Sequence, residues 1–295
     1  MKGWTIGELL KVSANYLKQK GIDSPRLNAE ILLAHQLHLT RVKLYLQYDQ
    51  PLNEQEVEGY RALVRRRLSR EPVQYITGTQ EFWSMEFIVN PSVLIPRPET
   101  EVLLEQAVLL RRENPSLQVE RVNLLELGTG CGALAVALAL EFEKALICAT
   151  DLSEEALRVA RRNAERLGVN DRIDFKCGNW FTPFAGKATQ FDMILSNPPY
   201  IPTESFDTLS SEVRDHEPRS ALDGGEQGMR DIAQILKEAA NYLVPGGWIL
   251  MEMDPDQTPK AVRIIEETGQ LTEHRRIQDY SRRYRMVMAR KTPEG

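Results

Sequence analysis

The segment LLELGTGCGALAVALAL (124–140) leaves few folds open. The strand pattern VNLLEL (122–127) runs into Gly128, Gly130 and Gly132, and an apolar helix pattern follows at once. Residues without side chains let the backbone turn sharply and approach a ligand closely, with the first-turn amides of the next helix pointing at it. A strand that turns on glycines into a helix is the opening unit of a mainly parallel sheet covered by helices. The chain that follows repeats the alternation. ALICATD (145–151), RIDFKC (172–177), FDMILS (191–196) and GWILMEM (247–253) read as strands, separated by helical patterns such as SEEALRVARRNAERLG (153–168), with Ser153 as N-cap and Gly168 past the end. RRIQDYSRRYRMVMARK (275–291) alternates as a terminal strand pair would. The fold expected is α/β, a doubly wound, Rossmann-like sheet.

The front of the chain reads differently. Thr5 with Glu8, Ser24 with Pro25, and Asn53 with Glu56 mark three helix starts, and Ile6, Leu9, Leu10, Tyr16 and Leu17 form an apolar face that ends at Gly21. This predicts a small all-α domain over residues 1–72. Residues 73–95, rich in β-branched and aromatic side chains and broken by Gly78 and Pro91, read as a hairpin-like linker whose Phe82 and Trp83 need a surface to pack on. The α/β domain occupies 96–295.

Charge is unevenly spread. Residues 1–75 carry 12 Lys/Arg against 8 Asp/Glu, or +4, so the rest carries −9 of the total −5. Two readings of the front fit this: a surface for a partner, or a solvated helix face around RRRLSR (65–70). No apolar run approaches the ~20 residues a bilayer span needs, and the N-terminus lacks a secretory pattern. Cys131, Cys148 and Cys177 have no metal-type spacing, and His35 and His38 lack a third ligand. A cytoplasmic monomer, without metal, is expected.

The glycine turn has a partner in Asp151, at the end of the next strand, where a carboxylate can accept hydrogen bonds from both ribose hydroxyls of a nucleoside-containing cofactor. The spacing is G-x-G-x-G and nothing basic stands near it, so it lacks a cradle for pyrophosphate. Glu126, just before the loop, suits a ligand bearing an ammonium and a sulfonium. That favours S-adenosylmethionine over NAD, held by Glu126, Gly128, Thr129, Gly130, Cys131, Gly132, Asp151 and Leu152. In GNWF (178–181), Trp180 is placed to lie against an adenine ring with Asn179 at its edge, or to be a core aromatic under a loop.

The fourth strand of the alternation ends in SNPPYIP (196–202). A planar amide or aryl-amine nitrogen is a poor nucleophile, because its lone pair is delocalised. A site that methylates one must accept hydrogen bonds from its N–H groups and hold it in line with the methyl–sulfur bond. Asn197 offers a side-chain carbonyl and Pro198 a backbone carbonyl. Pro198 and Pro199 stiffen the chain so that both acceptors converge, and Tyr200 supplies a flat face. Asn197, Pro198 and Tyr200 are the candidate catalytic residues. Asn197, Pro198, Pro199 and Tyr200 would contact the substrate. Catalysis of this kind is positioning and electrostatics.

ELGTGCG, SNPPYIP, IPRPETE, EPRSALDGGEQG and QEFW together resemble the HemK/PrmC family of protein-glutamine methyltransferases over nearly the whole chain. The resemblance implies methylation of the side-chain amide of the glutamine in the Gly-Gly-Gln motif of class 1 peptide-chain release factors. It also implies cofactor contacts from Gly128 to Gly132, Asp151, Trp180 and Asn197. The sequence makes two departures from the family pattern: Asp254 and Pro255 stand after the fifth strand in place of a Glu-hydrophobic-Gly element, with Gln257 retained, and Cys131 replaces a frequent Thr or Ser. Arg97 and Glu99, at a helix start, fit either simple capping or a role in closing the site. The rival readings are methylation of an exocyclic amine of DNA or RNA, which −9 over residues 76–295 disfavours, and a non-catalytic cofactor-binding module, which has no need of Asn197 to Tyr200. Direct nucleic-acid binding is not expected.

Overall fold

Reciprocal capping starts two helices of the front unit. In the computed structural model, which describes residues 3–118 and 121–293, Thr5 and Glu8 exchange side-chain-to-backbone hydrogen bonds of 3.2 and 3.1 Å ahead of α1 (Ile6–Gln19). Pro25 opens α2 (Pro25–Leu37), but Ser24 lies in the left-handed region at φ 45° and its side chain caps nothing. The amide of Asn28 donates to the Asp23 and Ser24 carbonyls at this turn instead. α3 (Arg41–Leu46) follows, then α4 (Glu54–Leu68), capped by Asn53 and Glu56. The chain divides into two compact units, and the first comprises Met1–Thr79 together with Ser210–His216.

The core of this unit gathers Ile6, Leu10, Leu17, Leu32, Leu33, Leu44 and Tyr60, each full burial contributing about 1.5–3 kcal/mol. Tyr16 departs from the expected apolar face: it is 43% exposed, with the Lys20 ammonium over its ring. The stretch VQYIT, β-rich by composition, forms the short helix α5 (Val73–Thr77), ended by Gly78 at φ 79°. Burial of Tyr75 and Ile76 overrides strand propensity there. Arg67 is buried, its guanidinium donating to Asn28 Oδ1 (2.7 Å), the Glu71 carbonyl (3.1 Å) and Glu212. Glu212 belongs to a later helix, α9 (Ser211–His216), in which His216 lies 3.2 Å from the Ser69 carbonyl.

The second unit opens with a two-stranded sheet of β1 (Thr79–Phe82) and β2 (Met85–Ile88). Phe82 is buried edge-on to Phe87, and the Trp83 indole donates to Glu141 at 2.7 Å. α6 (Pro98–Glu113), β3 (Asn123–Leu127), α7 (Ala133–Glu141), β4 (Leu146–Asp151), α8 (Glu154–Arg166), β5 (Ile173–Cys177) and β6 (Phe191–Ser196) follow. α10 (Arg230–Tyr242), β7 (Leu243–Glu252), α11 (Thr258–Thr268), β8 (Leu271–Gln278) and β9 (Tyr284–Lys291) complete the unit. The sheet order is β5-β4-β3-β6-β7-β9-β8, with β3 to β7 parallel and β9 antiparallel to both β7 and β8. β7 begins at Leu243, before the segment its hydrophobicity marks, because a register shift at Phe191/Met193 lets the strand extend through Pro245 and the following glycines. The strand order reverses between β3 and β6, so their carboxyl ends flank the crevice where ligands of such sheets bind. Among the described residues no helix is long and apolar enough to cross a membrane.

Candidate active site

The glycine turn leaves β3 at this crevice. Gly128, Gly130 and Gly132 all have positive φ (75°, 55° and 81°), which side chains rarely adopt. A Cβ on Gly132 would stand 2.9 Å from that of Ala160, so this glycine also permits close packing of α7 on α8. The amides of Gly128 and Thr129 both donate to the Thr150 carbonyl at 2.9 Å, and that of Gly130 donates to Asp151 Oδ2 at 2.8 Å. The turn is therefore stitched to the end of β4 by its own amides, and of the first-turn helix amides expected to point at a ligand, that of Ala135 goes to Glu126. Asp151 accepts a second amide, from Ser153, on Oδ1 (2.9 Å). Burial raises its pKa, and the amides of Ser153, Gly130 and Leu152 oppose that rise.

Beside the turn lies a cavity of about 450 Å³ lined in part by Gly128, Gly130, Asp151, Leu152, Asn179, Trp180, Asn197 and Pro199. Its size falls in the range of sites for small ligands, about 300–1,000 Å³. Glycine backbone, a carboxylate with lone pairs to spare, and an indole face suit an adenosine-bearing ligand. Glu126, Thr129, Cys131 and Gly132 are not among the lining residues. Glu126 corrects the expectation most clearly: it is 4% exposed, accepts the Thr129 hydroxyl at 2.6 Å, and takes the Ala135 amide. Desolvation pushes its pKa up to about 8, so at neutral pH it is not the exposed anion that would greet a cation. Burial likewise pushes the Cys131 thiol up to about 12.

Trp180 has φ 46° and is held from two sides. A Cβ on Gly128 would meet its ring at 3.3 Å, and its Nε1 donates to Asp231 at 3.3 Å. Arg230, adjacent in sequence, donates to the other oxygen of Asp231 at 2.8 Å. Both line the cavity with Ser92, Ser220 and Ala221; the latter two fall within EPRSALDGGEQG, but no motif singled out Arg230 or Asp231.

The Asn197–Tyr200 loop leaves β6 opposite the glycine turn. Asn197 Nδ2 donates to Thr100 Oγ1 at 3.0 Å, and Thr100 donates to Glu252 Oε2 at 2.7 Å. Pro198 and Tyr200 do not line the cavity. Tyr200, expected as a flat wall facing the ligand, packs against the core, and its hydroxyl points to Glu252 Oε1 at 3.4 Å. Burial raises its pKa. Among the described residues, no donor reaches Asn197 Oδ1 or the Pro198 carbonyl.

The loop is braced from behind. Ile201 exchanges backbone hydrogen bonds with Leu222 and Gly224 (2.9 Å each), and Thr203 donates to Gly225 (3.0 Å). The side-chain amide of Gln257 donates to the carbonyls of Tyr200 (2.7 Å), Gln227 (3.1 Å) and Gly228 (3.2 Å). Gln257 is itself fixed by the departure at Asp254 and Pro255: Asp254 and Gln257 form a capping box across that turn. Arg97 pairs with the buried Glu217 at 2.5 Å, and Glu217 also takes the Ile95 amide at 3.2 Å, tying IPRPETE to EPRSALDGGEQG.

Comparison with known proteins agrees with this architecture. A model described as the PrmC N-terminal domain matches residues 8–78, and one described as a methyltransferase domain matches residues 118–286. A solved T. thermophilus 16S rRNA methyltransferase, in complex with AdoMet and guanosine, shares the fold at a TM-score of 0.50 and 19% identity, over 72% of this chain and 49% of that one. The fold and the cavity at its switch point define an S-adenosylmethionine-dependent methyltransferase. The release factor glutamine methyltransferase of Geobacter sulfurreducens is 44% identical over 90% of each chain, and that of Chlorobaculum tepidum 39% identical over 95% of each. The chain belongs to the release factor glutamine methyltransferase family.

Proposed function

We propose that this enzyme methylates the side-chain amide nitrogen of the glutamine in the Gly-Gly-Gln motif of class 1 peptide-chain release factors. S-adenosylmethionine supplies the methyl group. In this reading Gly128 and Gly130 give the cofactor a surface without side chains, Asp151 accepts from its ribose, and Trp180 with Asn179 contacts its adenine. Asn197 Oδ1 and the Pro198 carbonyl accept the two N–H bonds of the substrate amide and so orient its nitrogen. Acceptance by two carbonyls draws electron density toward that nitrogen as its bond to the methyl carbon forms and the carbon–sulfur bond breaks; the methylated, cationic nitrogen is then acidic enough to lose one N–H proton to water without a strong base. Tyr200 and Pro199 keep the acceptors in place.

The observation that carries the reading is the direction of the Asn197 amide. Its nitrogen is engaged by Thr100, and its oxygen remains available beside the cavity that Asp151 and Trp180 line. The front unit, with its excess positive charge, is assigned to recognition of the protein substrate. The test uses methyl-labelled S-adenosylmethionine with purified release factor, its Gln→Ala variant, and nucleic acid as separate acceptors. Label is expected in the wild-type factor alone. Label in nucleic acid, or equal label in the Gln→Ala factor, defeats the reading.

A further inference from the structure

We propose that Thr100, held by the buried carboxylate of Glu252, is the positioning residue that fixes which face of the Asn197 amide meets the substrate. The inference rests on Asn197 acting as an acceptor, as proposed above.

A carboxamide has nearly the same shape when its oxygen and nitrogen are exchanged, so packing alone chooses poorly between the two orientations. The wrong choice would present N–H donors to a substrate that is itself an N–H donor. Hydrogen-bond direction supplies what shape cannot. Thr100 has one hydroxyl proton, and Glu252 Oε2, 2.7 Å away, takes it. Thr100 Oγ1 can then only accept from its other neighbour, so the Asn197 atom 3.0 Å away must be nitrogen and Oδ1 turns to the cavity side.

The anchor is well chosen for this. Glu252 is 1% exposed at the end of β7, and Thr100 is 8% exposed in the first turn of α6. The second Glu252 oxygen faces the Tyr200 hydroxyl at 3.4 Å, so one carboxylate addresses both ends of the Asn197–Tyr200 loop. A carboxylate that receives two hydroxyls is an acceptor on both oxygens, which makes the direction of the chain unambiguous.

The direction depends on Glu252 being ionised. Desolvation pushes its pKa up to about 7; Glu99 pushes the same way, while Arg285 and the hydroxyls of Thr100 and Tyr200 oppose it. Once protonated, Glu252 can donate to Thr100, which frees the threonine proton for Asn197 and removes the preference between the two amide orientations. Turnover should therefore decline as pH falls through about 7.

The experiment compares Thr100→Val, Thr100→Ser and Glu252→Gln with wild type, measuring kcat and KM on release factor together with the dissociation constant for S-adenosylmethionine. Thr100→Val keeps the shape and deletes the hydroxyl, so kcat should fall about 10- to 100-fold (about 1.4–2.8 kcal/mol) with cofactor affinity within about threefold. Thr100→Ser should recover kcat to within about threefold of wild type. Glu252→Gln cannot ionise, and its amide, like protonated Glu252, can donate to Thr100, so its kcat should be reduced and should lose the decline below pH 7. Turnover of Thr100→Val within twofold of wild type, a serine variant no better than valine, or a loss of cofactor affinity matching the loss of turnover would each overturn the assignment. If Thr100→Val does not fold, the Glu252→Gln pH profile decides alone, an unchanged decline below pH 7 overturning the proposal. Wild-type enzyme that labels no release factor would instead break the glutamine reading, which separates the two failures.

Discussion

The glycine turn (128–132) and the Asn197–Tyr200 loop leave neighbouring strands at the same end of the sheet, yet they are held through different groups. The turn is held by its own backbone donors: the amides of Gly128, Thr129 and Gly130 are bound by Thr150 and Asp151 of β4, so it offers a surface rather than those donors. The loop is held by side chains from distant elements. Its prolines limit its own freedom, Thr100 takes the Asn197 side-chain amide, Gln257 the Tyr200 carbonyl and Glu252 the Tyr200 hydroxyl, and among the described residues no donor reaches Asn197 Oδ1 or the Pro198 carbonyl. A surface that must fit a large ligand is built by removing side chains. A site that must orient one nitrogen is built by anchoring its loop through other groups and leaving the orienting oxygens open.

Breaking the loop should therefore cost chemistry, and breaking the turn should cost fit. Asn197→Ala is expected to give the largest effect: turnover on release factor down about 10³-fold, comparable to the loss of one oxyanion-hole donor, with cofactor affinity within about tenfold. Equal losses in turnover and cofactor binding, read by single-turnover kinetics and calorimetric titration, would erase the distinction between the two regions. The bracing is tested next. A Cβ on Gly228 would stand 2.0 Å from the Tyr200 carbonyl oxygen and 2.3 Å from Gln257 Nε2, at φ 66°. Gly228→Ala should cost about 3 kcal/mol or more in denaturant unfolding, with a large part of turnover lost, since backbone cannot yield as a side-chain tip can. Gly130 has a similar φ of 55° but nothing within 4 Å, so Gly130→Ala should cost only about 1–2 kcal/mol of backbone strain. Equal costs at the two glycines would show that strain, not the proximity of the loop, governs both.

Much of this arrangement was legible in the sequence because it is carried by local patterns. The alternation of strand and helix gave the sheet, Gly128 to Gly132 gave the turn, and Asp151 and Asn197 fall at strand ends that periodicity locates. What could not be read was direction. Nothing in the spacing tells whether Glu126 points into the crevice or under the turn, and in the structure it lies under the turn, with Thr129 and the Ala135 amide as partners. Tyr200 is the same case: its ring was placed by chemistry, but the buried Glu252 draws its hydroxyl away from the cavity. The roles of Thr100, Glu252, Gln257 and Asp231 could not be read, although Thr100 lies in IPRPETE and Gln257 was marked as retained, because each acts across 50 to nearly 100 residues of sequence, or more, on a group that local pattern cannot connect to it. IPRPETE and EPRSALDGGEQG were visible as motifs, and their reason is the Arg97–Glu217 pair and the close approach of Gly224 and Gly228 to the loop backbone.

The smallest effect expected concerns Glu126, and it sharpens the contrast by asking whether the turn carries a charge. Its folded pKa of about 8 lies above the ordinary carboxylate value of 4.5, so the folded protein binds the proton more tightly than the unfolded chain does. Stability from this group is complete below about pH 4.5 and declines as pH rises through 8, since ionisation then forces a buried anion beside Asp151. Glu126→Gln keeps the carbonyl acceptor and cannot ionise. Without cofactor, its unfolding free energy should match wild type near pH 5 and exceed it by at least about 1 kcal/mol at pH 8.5, one pKa unit being worth about 1.4 kcal/mol. Thermal or urea unfolding across that range measures the difference directly. A gap that stays constant with pH would mean that Glu126 does not titrate in this window, and a gap of opposite sign would mean that the turn is built around an ionised carboxylate after all.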